Sequence, residues 1–256
     1  MSSEKRFGYE WHKYQEIDPN YEIQFLKWIY PLKPKDFKGK KILDAGCGMG
    51  RNSYWALKYG AKDLTAFDYD KRSVKAAVKN LASFKNARVE FKSIYEIDYK
   101  NQFDIVFCLG VIHHLANPHL AIKNLIQSIK PGGLILIWVY GYQGNVWIVK
   151  FVNPIRKNIT SKLPLPLVHF FSYFLSLPLW FWVKIFKGPG LYLRQLSGFK
   201  FWHIRSIVFD QLIPEIANYF TKEEAKKLLA DFNELKEIEI YPVNNNSWTV
   251  LGQKYD

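Results

Sequence analysis

Acidic residues are absent from about a quarter of this chain. Between Tyr142 and Phe209 there is no Asp or Glu, against nine basic residues: Lys150, Arg156, Lys157, Lys162, Lys184, Lys187, Arg194, Lys200 and Arg205. That stretch carries +9 of a formal net charge of +13 and has to be read apart from the rest. Cysteine is equally scarce. Cys47 and Cys108 are the two present, one in a glycine-rich run and one in an apolar run, which excludes a disulfide framework and points to a reducing, cytoplasmic compartment. The charged start Met1-Ser2-Ser3-Glu4-Lys5-Arg6 has no apolar run behind it, so no secretory leader is expected. Internal repeats and low-complexity tails are also missing. The 256 residues suit one α/β domain with an insertion, or two small domains, and can bury a large core.

What is present is a regular β-α alternation. Lys40-Lys41-Ile42 ends a strand and Asn52 to Leu57 starts a helix, with Gly46-Cys47-Gly48-Met49-Gly50-Arg51 between them. Asp63–Phe67 reads as a second strand. Lys71–Phe84 has helical spacing, with Val74, Ala77, Val78 and Leu81 on one face. Ala87–Phe91 alternates as a strand. Phe103–Leu109 is an apolar run apart from Asp104, as a central parallel strand should be. Pro118–Ile129 reads as a helix capped by Asn117. Pro131-Gly132-Gly133 reads as a turn before the strand Leu134–Tyr140. The alternation breaks there and resumes at the capping box Thr221-Lys222-Glu223-Glu224 of a helix to Phe232. Two strands, Leu235–Tyr241 and Ser247–Gly252, follow. This order predicts a Rossmann-like α/β fold, a mostly parallel sheet with helices on both faces. The expected division is an N-terminal helical cap over 1–36, a core over 37–141 and 216–256, and a helical insertion over 142–215.

The loop Gly46-x-Gly48-x-Gly50 lets backbone pass close to a ligand and offers it a helix N-terminus. A dinucleotide site would want a third glycine where Arg51 stands, which disfavours a dehydrogenase. Asp68 follows the second strand and can accept both hydroxyls of a ribose. Asp70 competes with it for the role of helix cap.

With Leu43-Asp44 ahead of it, the loop resembles motif I of the class I S-adenosylmethionine-dependent methyltransferases. Phe103-Asp104-Ile105-Val106-Phe107 and Pro131-Gly132-Gly133 continue the resemblance in order and spacing across 41–140. It implies a seven-stranded sheet whose last strand is antiparallel, and S-adenosylmethionine as cofactor. It places Asp44, Gly46, Cys47, Gly48, Gly50, Asp68, Tyr69, Ser93, Ile94 and Leu109 around that cofactor, with Ser93 where the family often has an Asp for the adenine amine. Phe7-Gly8-Tyr9-Glu10-Trp11 resembles a segment that folds over the cofactor mouth in one branch. Tyr9 and Trp11 then close the site; packing as ordinary core is the other reading of Tyr9, Trp11 and Tyr14.

Val111-Ile112-His113-His114-Leu115 matches the loop that faces the methyl group in this fold. His114, before His113, is the candidate general base for an acceptor that must lose a proton. Structural histidines are the alternative. No metal centre is expected, because His113, His114 and His119 lack helical i, i+4 spacing and acidic partners. The loop after the fourth strand has neither Asp/Asn-Pro-Pro-aromatic nor Pro-Cys, which disfavours nucleic-acid base methylation.

Leu163–Val183 runs 21 residues without a charge, but three prolines make it a poor spanning helix. Two readings are open: an apolar lid over the active site, or an interfacial segment with aromatics among headgroups and Lys/Arg on anionic lipid. Together these features lead to the expectation of a cytoplasmic enzyme that O-methylates a hydrophobic or lipid-linked acceptor, such as a lipid-carried glycan, with nucleic acid disfavoured for want of any RNA-binding motif behind the basic aromatic face, and with the inner face of the membrane as its docking surface if the interfacial reading holds. A soluble small-molecule acceptor, or a cofactor-binding scaffold without turnover, are the alternatives.

Overall fold

A computed structural model describes residues 3–14, 16–186 and 191–256. Seven strands form one sheet: β1 (Lys41–Ala45), β2 (Asp63–Asp68), β3 (Ala87–Phe91), β4 (Phe103–Leu109), β5 (Ile129–Tyr140), β6 (Leu235–Val243) and β7 (Ser247–Lys254). Their order is β3-β2-β1-β4-β5-β7-β6. Only β7 runs against its neighbours, pairing antiparallel with β5 on one side and β6 on the other. The central β4 is apolar apart from Asp104 near its start, which pairs with Lys130, because both of its faces are covered.

Helices α1 (Ser3–Lys13), α2 (Asn20–Trp28), α3 (Pro34–Phe37), α4 (Arg51–Lys58), α5 (Lys71–Asn80) and α6 (Pro118–Ser128) belong to the first half of the chain. One core layer joins Phe25, Phe37, Ile42, Leu64, Phe107 and Leu136; the layer on the opposite face joins Leu43, Phe67, Val106, Ile122, Ile137 and Leu229.

Several boundaries differ from those read in the sequence. Pro131-Gly132-Gly133 lies inside β5, which begins at Ile129; the irregularity appears as a register shift against β4 between Phe103 and Ile105. α5 stops at Asn80, and its buried side is Ser73, Ala76 and Ala77, while Val78 is exposed. The face turned because α1 packs on α5. A Cβ added at Gly8 of α1 would stand 1.8 Å from Cγ of Asp70, so the two helices meet with a glycine's clearance.

The insertion is helical. Two π-helical turns, Ile148–Val152 and Arg156–Thr160, flank α7 (Asn153–Ile155), and then come α8 (Leu165–Phe186), α9 (Leu191–Ser197) and α10 (Phe201–Leu212). The helix α11 (Lys222–Ala230), closed by the Thr221–Glu224 capping box, returns the chain to the sheet. α8 packs on α10 through Leu165, Val168, Phe209 and Leu212. Arg6 ties α1 to this layer: its guanidinium donates to the carbonyls of Ile213 at 2.6 Å, Thr160 at 2.7 Å and Leu163 at 3.3 Å. Lys187 lies outside the described residues.

Candidate cofactor and acceptor site

A cavity of about 1120 Å³ opens at the C-terminal ends of β1, β2 and β4, beneath α1 and the insertion. That edge is where parallel α/β sheets bind ligands, and the volume exceeds the ~300–1,000 Å³ of ordinary small-molecule sites. The glycine loop forms its floor. Gly46 and Gly48 have φ of +75° and +54°. A Cβ at Gly46 would meet Val111 at 2.5 Å, and one at Gly48 would meet the Trp11 indole at 3.0 Å. No other residue could keep this turn and this clearance.

Asp68 is bound to the loop it serves. Gly48 N–H donates to its Oδ2 and Asp70 N–H to its Oδ1, each at 2.9 Å. Each oxygen keeps a further lone pair toward the cavity. Burial pushes the Asp68 carboxyl up to about 6. Asp70 takes the other role weighed in the sequence: it caps α5, accepting from Arg72 N–H at 2.8 Å, and pairs with the Arg72 guanidinium at 2.8 Å.

The cavity gathers Gly46, Cys47, Gly48, Asp68, Tyr69, Ser93, Ile94, Leu109, Trp11 and His114. It does not include Asp44, Gly50, Tyr9 or His113. Asp44 stands behind the loop, accepting from Ser53 Oγ at 2.5 Å, and burial raises its carboxyl to about 7. Gly50 lies against Ala77 of α5. Tyr9 packs between His169 and Phe209 of the insertion. Of the two readings of the N-terminal aromatics, the mouth-closing one thus describes the placement of Trp11 and the packing one that of Tyr9.

The two histidines part company in the same way. His113 is fully buried against Tyr140, with ring centroids 3.8 Å apart, and neither ring nitrogen has a hydrogen-bond partner. Burial holds it well below the usual histidine range. His114 lines the cavity beneath Phe7, and its Nδ1 lies 2.7 Å from the Ile216 carbonyl. A carbonyl can only accept, so the proton sits on Nδ1 and Nε2 keeps its lone pair. Burial lowers this imidazole to about 4.

Three cavity residues were not singled out as site residues in the sequence. Arg51 lies among Trp11, Tyr21 and Trp28, its guanidinium carbon 4.8 to 5.3 Å from the rings. Glu10 is 1 % exposed; its Oε1 accepts from Ser206 Oγ at 2.6 Å and its Oε2 has no partner. Asp210 accepts from the Tyr140 hydroxyl at 3.2 Å. Their sequence signals were an acid among aromatics in the first helix and the first acid after the acid-free stretch. The cradle a Cβ would fill, the Asp68 carboxylate and the orphaned oxygen of Glu10 together fit a cofactor with a ribose and charged groups. Among the described residues no cluster of His, Cys, Asp or Glu could hold a metal ion.

Comparison with known proteins agrees with this geometry. Residues 36–147 match a family model described as a methyltransferase domain. A tRNA U34 carboxymethyltransferase of Campylobacter hominis is 35% identical over 162 residues, covering 59% of this chain and 54% of that protein. One of Helicobacter acinonychis is 33% identical over 128 residues, 48% of each chain. The chain thus spans about half the length of these curated relatives. Among solved structures, the PH0226 protein of Pyrococcus horikoshii superposes with a TM-score of 0.59 at 14% identity over 93% of this chain and 92% of that one. A SAM dependent methyltransferase of Aquifex aeolicus gives 0.53 at 16%, over 93% and 94%. At such identities the structures speak for the fold alone.

The relatives correct two expectations. O-methylation of a hydrophobic or lipid-linked acceptor, and the disfavouring of nucleic acid as partner, do not stand beside relatives named for tRNA. The motifs whose absence was weighed belong to exocyclic-amine and cytosine-C5 chemistry, so they exclude those reactions and not RNA acceptors in general.

Proposed function

Because this chain carries a methyltransferase domain of the class I, S-adenosylmethionine-dependent kind, we propose that it transfers a group from that cofactor to a nucleoside of tRNA. The observation that carries the transfer reading is one cavity holding the glycine loop, Asp68 and His114 together. The acceptor is carried over from the names of the relatives, and a formal charge of +13 suits a polyphosphate partner.

The cofactor supplies an activated carbon on a sulfonium, so the protein mainly aligns the reactants and excludes water, which is worth ~7–11 kcal/mol in favourable cases. In this reading the loop backbone faces the nucleoside and Asp68 accepts its ribose hydroxyls. Arg51 and Glu10 take the carboxylate and ammonium of the amino-acid end. Phe7 and Trp11 cover the mouth. His114 Nε2 accepts the proton that the acceptor gives up. The division into cap 1–36, core 37–141 with 216–256, and insertion 142–215 follows the same logic, with the cap and the insertion forming the roof of the site. The protein acts in the cytoplasm, on the inner face of the membrane.

Radiolabelled S-adenosylmethionine and bulk tRNA test the reading. Label should enter RNA, and RNase digestion should release it as a modified nucleoside. Tight cofactor binding with no label in any RNA fraction would sink the acceptor assignment and leave the domain assignment intact.

A further inference from the structure

The helix α8 is built inside out. Its buried side carries Leu165, Val168, Ser172, Ser176 and Val183, including two hydroxyls. Its exposed side carries Leu167, Phe170, Phe171, Phe174, Phe181, Trp182, Ile185 and Phe186. At 100° per residue these outward side chains, with the exposed Leu175, fall on an arc of about 160° that abuts the narrower arc of buried ones, and the exposed Tyr173 lies beyond the other border of that buried arc. A helix on a water-soluble surface has the reverse pattern. Ahead of it, Trp147, Phe151, Ile155 and Ile159 recur at every fourth position, and all are exposed. Around these stripes Lys150, Lys157, Lys162, Lys184, Arg194 and Lys200 are exposed as well, with no acid anywhere from 142 to 209.

We propose that this face, the α8 stripe and the 147–159 stripe with their surrounding lysines, lies on the surface of an anionic phospholipid membrane. The exposed apolar stripes, taken with the charge around them, select the occupant. Aromatic and aliphatic side chains enter the headgroup–acyl boundary while Lys and Arg pair with anionic headgroups, at ~1 kcal/mol per charge near the surface. An RNA surface would present single aromatics as stacking platforms between basic residues; the Ile and Leu side chains here have no such use.

The segment lies on the membrane and does not cross it. α8 is 22 residues long with a mean hydropathy of 1.3 over its best window, enough to cross by length and composition. However, its serine side is held by the protein, with the Arg205 guanidinium donating to Ser172 Oγ at 3.4 Å and to the His169 carbonyl at 2.6 Å. Pro178 lies inside it and removes one backbone hydrogen bond. Both ends of the insertion rejoin one sheet, and among the described residues there is no second apolar helix to bring the chain back. Membrane docking is independent of the acceptor and would place the roof of the site at the bilayer.

The test is co-sedimentation of the full chain with phosphatidylcholine vesicles and with mixed phosphatidylcholine–phosphatidylglycerol vesicles. The companion variant is Phe170→Ser/Phe174→Ser/Ile185→Ser, three exposed positions that do not line the cavity. The wild type should pellet with the mixed vesicles, weakly with the neutral ones, and less as salt rises. The triple variant should partition more than ~tenfold less while binding cofactor and tRNA as the wild type does. A wild type that stays in the supernatant overturns the proposal. So does a variant that loses tRNA binding in place of vesicle binding, or a wild type that self-associates through this face and ignores vesicles.

Discussion

The carboxyl groups of Glu10 and Asp210 share one cavity wall, and Asp210 adds its repulsion to the burial that pushes Glu10 well above the usual carboxylate range. A carboxyl held protonated in this way must ionise before it can pair with an ammonium group. Cofactor affinity should therefore rise with pH above the usual carboxylate range. In Glu10→Gln that rise should be flattened and the affinity at the upper end roughly tenfold weaker. Calorimetry across the pH range reads both. Equal pH slopes in the two proteins would remove Glu10 from the binding of the amino-acid end.

Arg51→Ala removes the guanidinium from its aromatic box. A hydrogen bond to a charged group contributes ~1.5–3 kcal/mol, so S-adenosylmethionine affinity should fall by ~10–150-fold. Adenosine, which lacks the amino-acid end, should bind both proteins alike. Asp68→Ala should weaken both ligands, because its carboxylate serves the ribose and also anchors Gly48.

His114→Ala should lose ~10²–10⁴-fold in turnover with little change in cofactor affinity. His113→Ala should instead lower the melting temperature, since His113 fills core space against Tyr140. With His114 lowered to about 4, its base form is complete at neutral pH. Turnover should then fall only as the pH drops toward that value, without the usual histidine step at ~6.5. A clear step there would assign the proton transfer to another group.

Asp44 also gives a stability signature. Its carboxyl is raised from 3.8 to about 7, so the native state holds a proton that the unfolded chain releases across that interval. Stability of the cofactor-free protein should decline as pH rises through the window, by up to ~4 kcal/mol from this group. Asp44→Asn should flatten the decline in a series of urea titrations. An unchanged slope would place the proton elsewhere.

The core could be read in the sequence because its signals are local. Gly46 and Gly48 need left-handed backbone, β4 is apolar because it is buried on both sides, and Thr221–Glu224 closes its own helix. Asp68 and Asp70 could be weighed against each other but not separated, since both roles depend on a backbone turn. The misreadings were tertiary. Val78 shows helical period, yet α1 covers the neighbouring face of α5. Glu10, Arg51 and Asp210 converge from three distant segments, and nothing near any of them in the chain announces the other two. His113 and His114 differ by one residue and by about 120° around a short 3-10 turn, which separates a core residue from a cavity residue.

The position of β7 between β5 and β6 bears on how the chain is made. During synthesis β6 emerges before the strand that will hold it, and its free edge has no partner in the sheet until residues 247–254 follow. The aromatic insertion has by then already left the ribosome, ahead of the segments that complete the sheet behind it. A chain truncated before β7 would thus show an unpaired strand and a bare apolar helix together, the two surfaces most prone to misassociation. Slow translation through this region, or a missing chaperone, should reduce the soluble yield of the protein before any effect on its activity is seen.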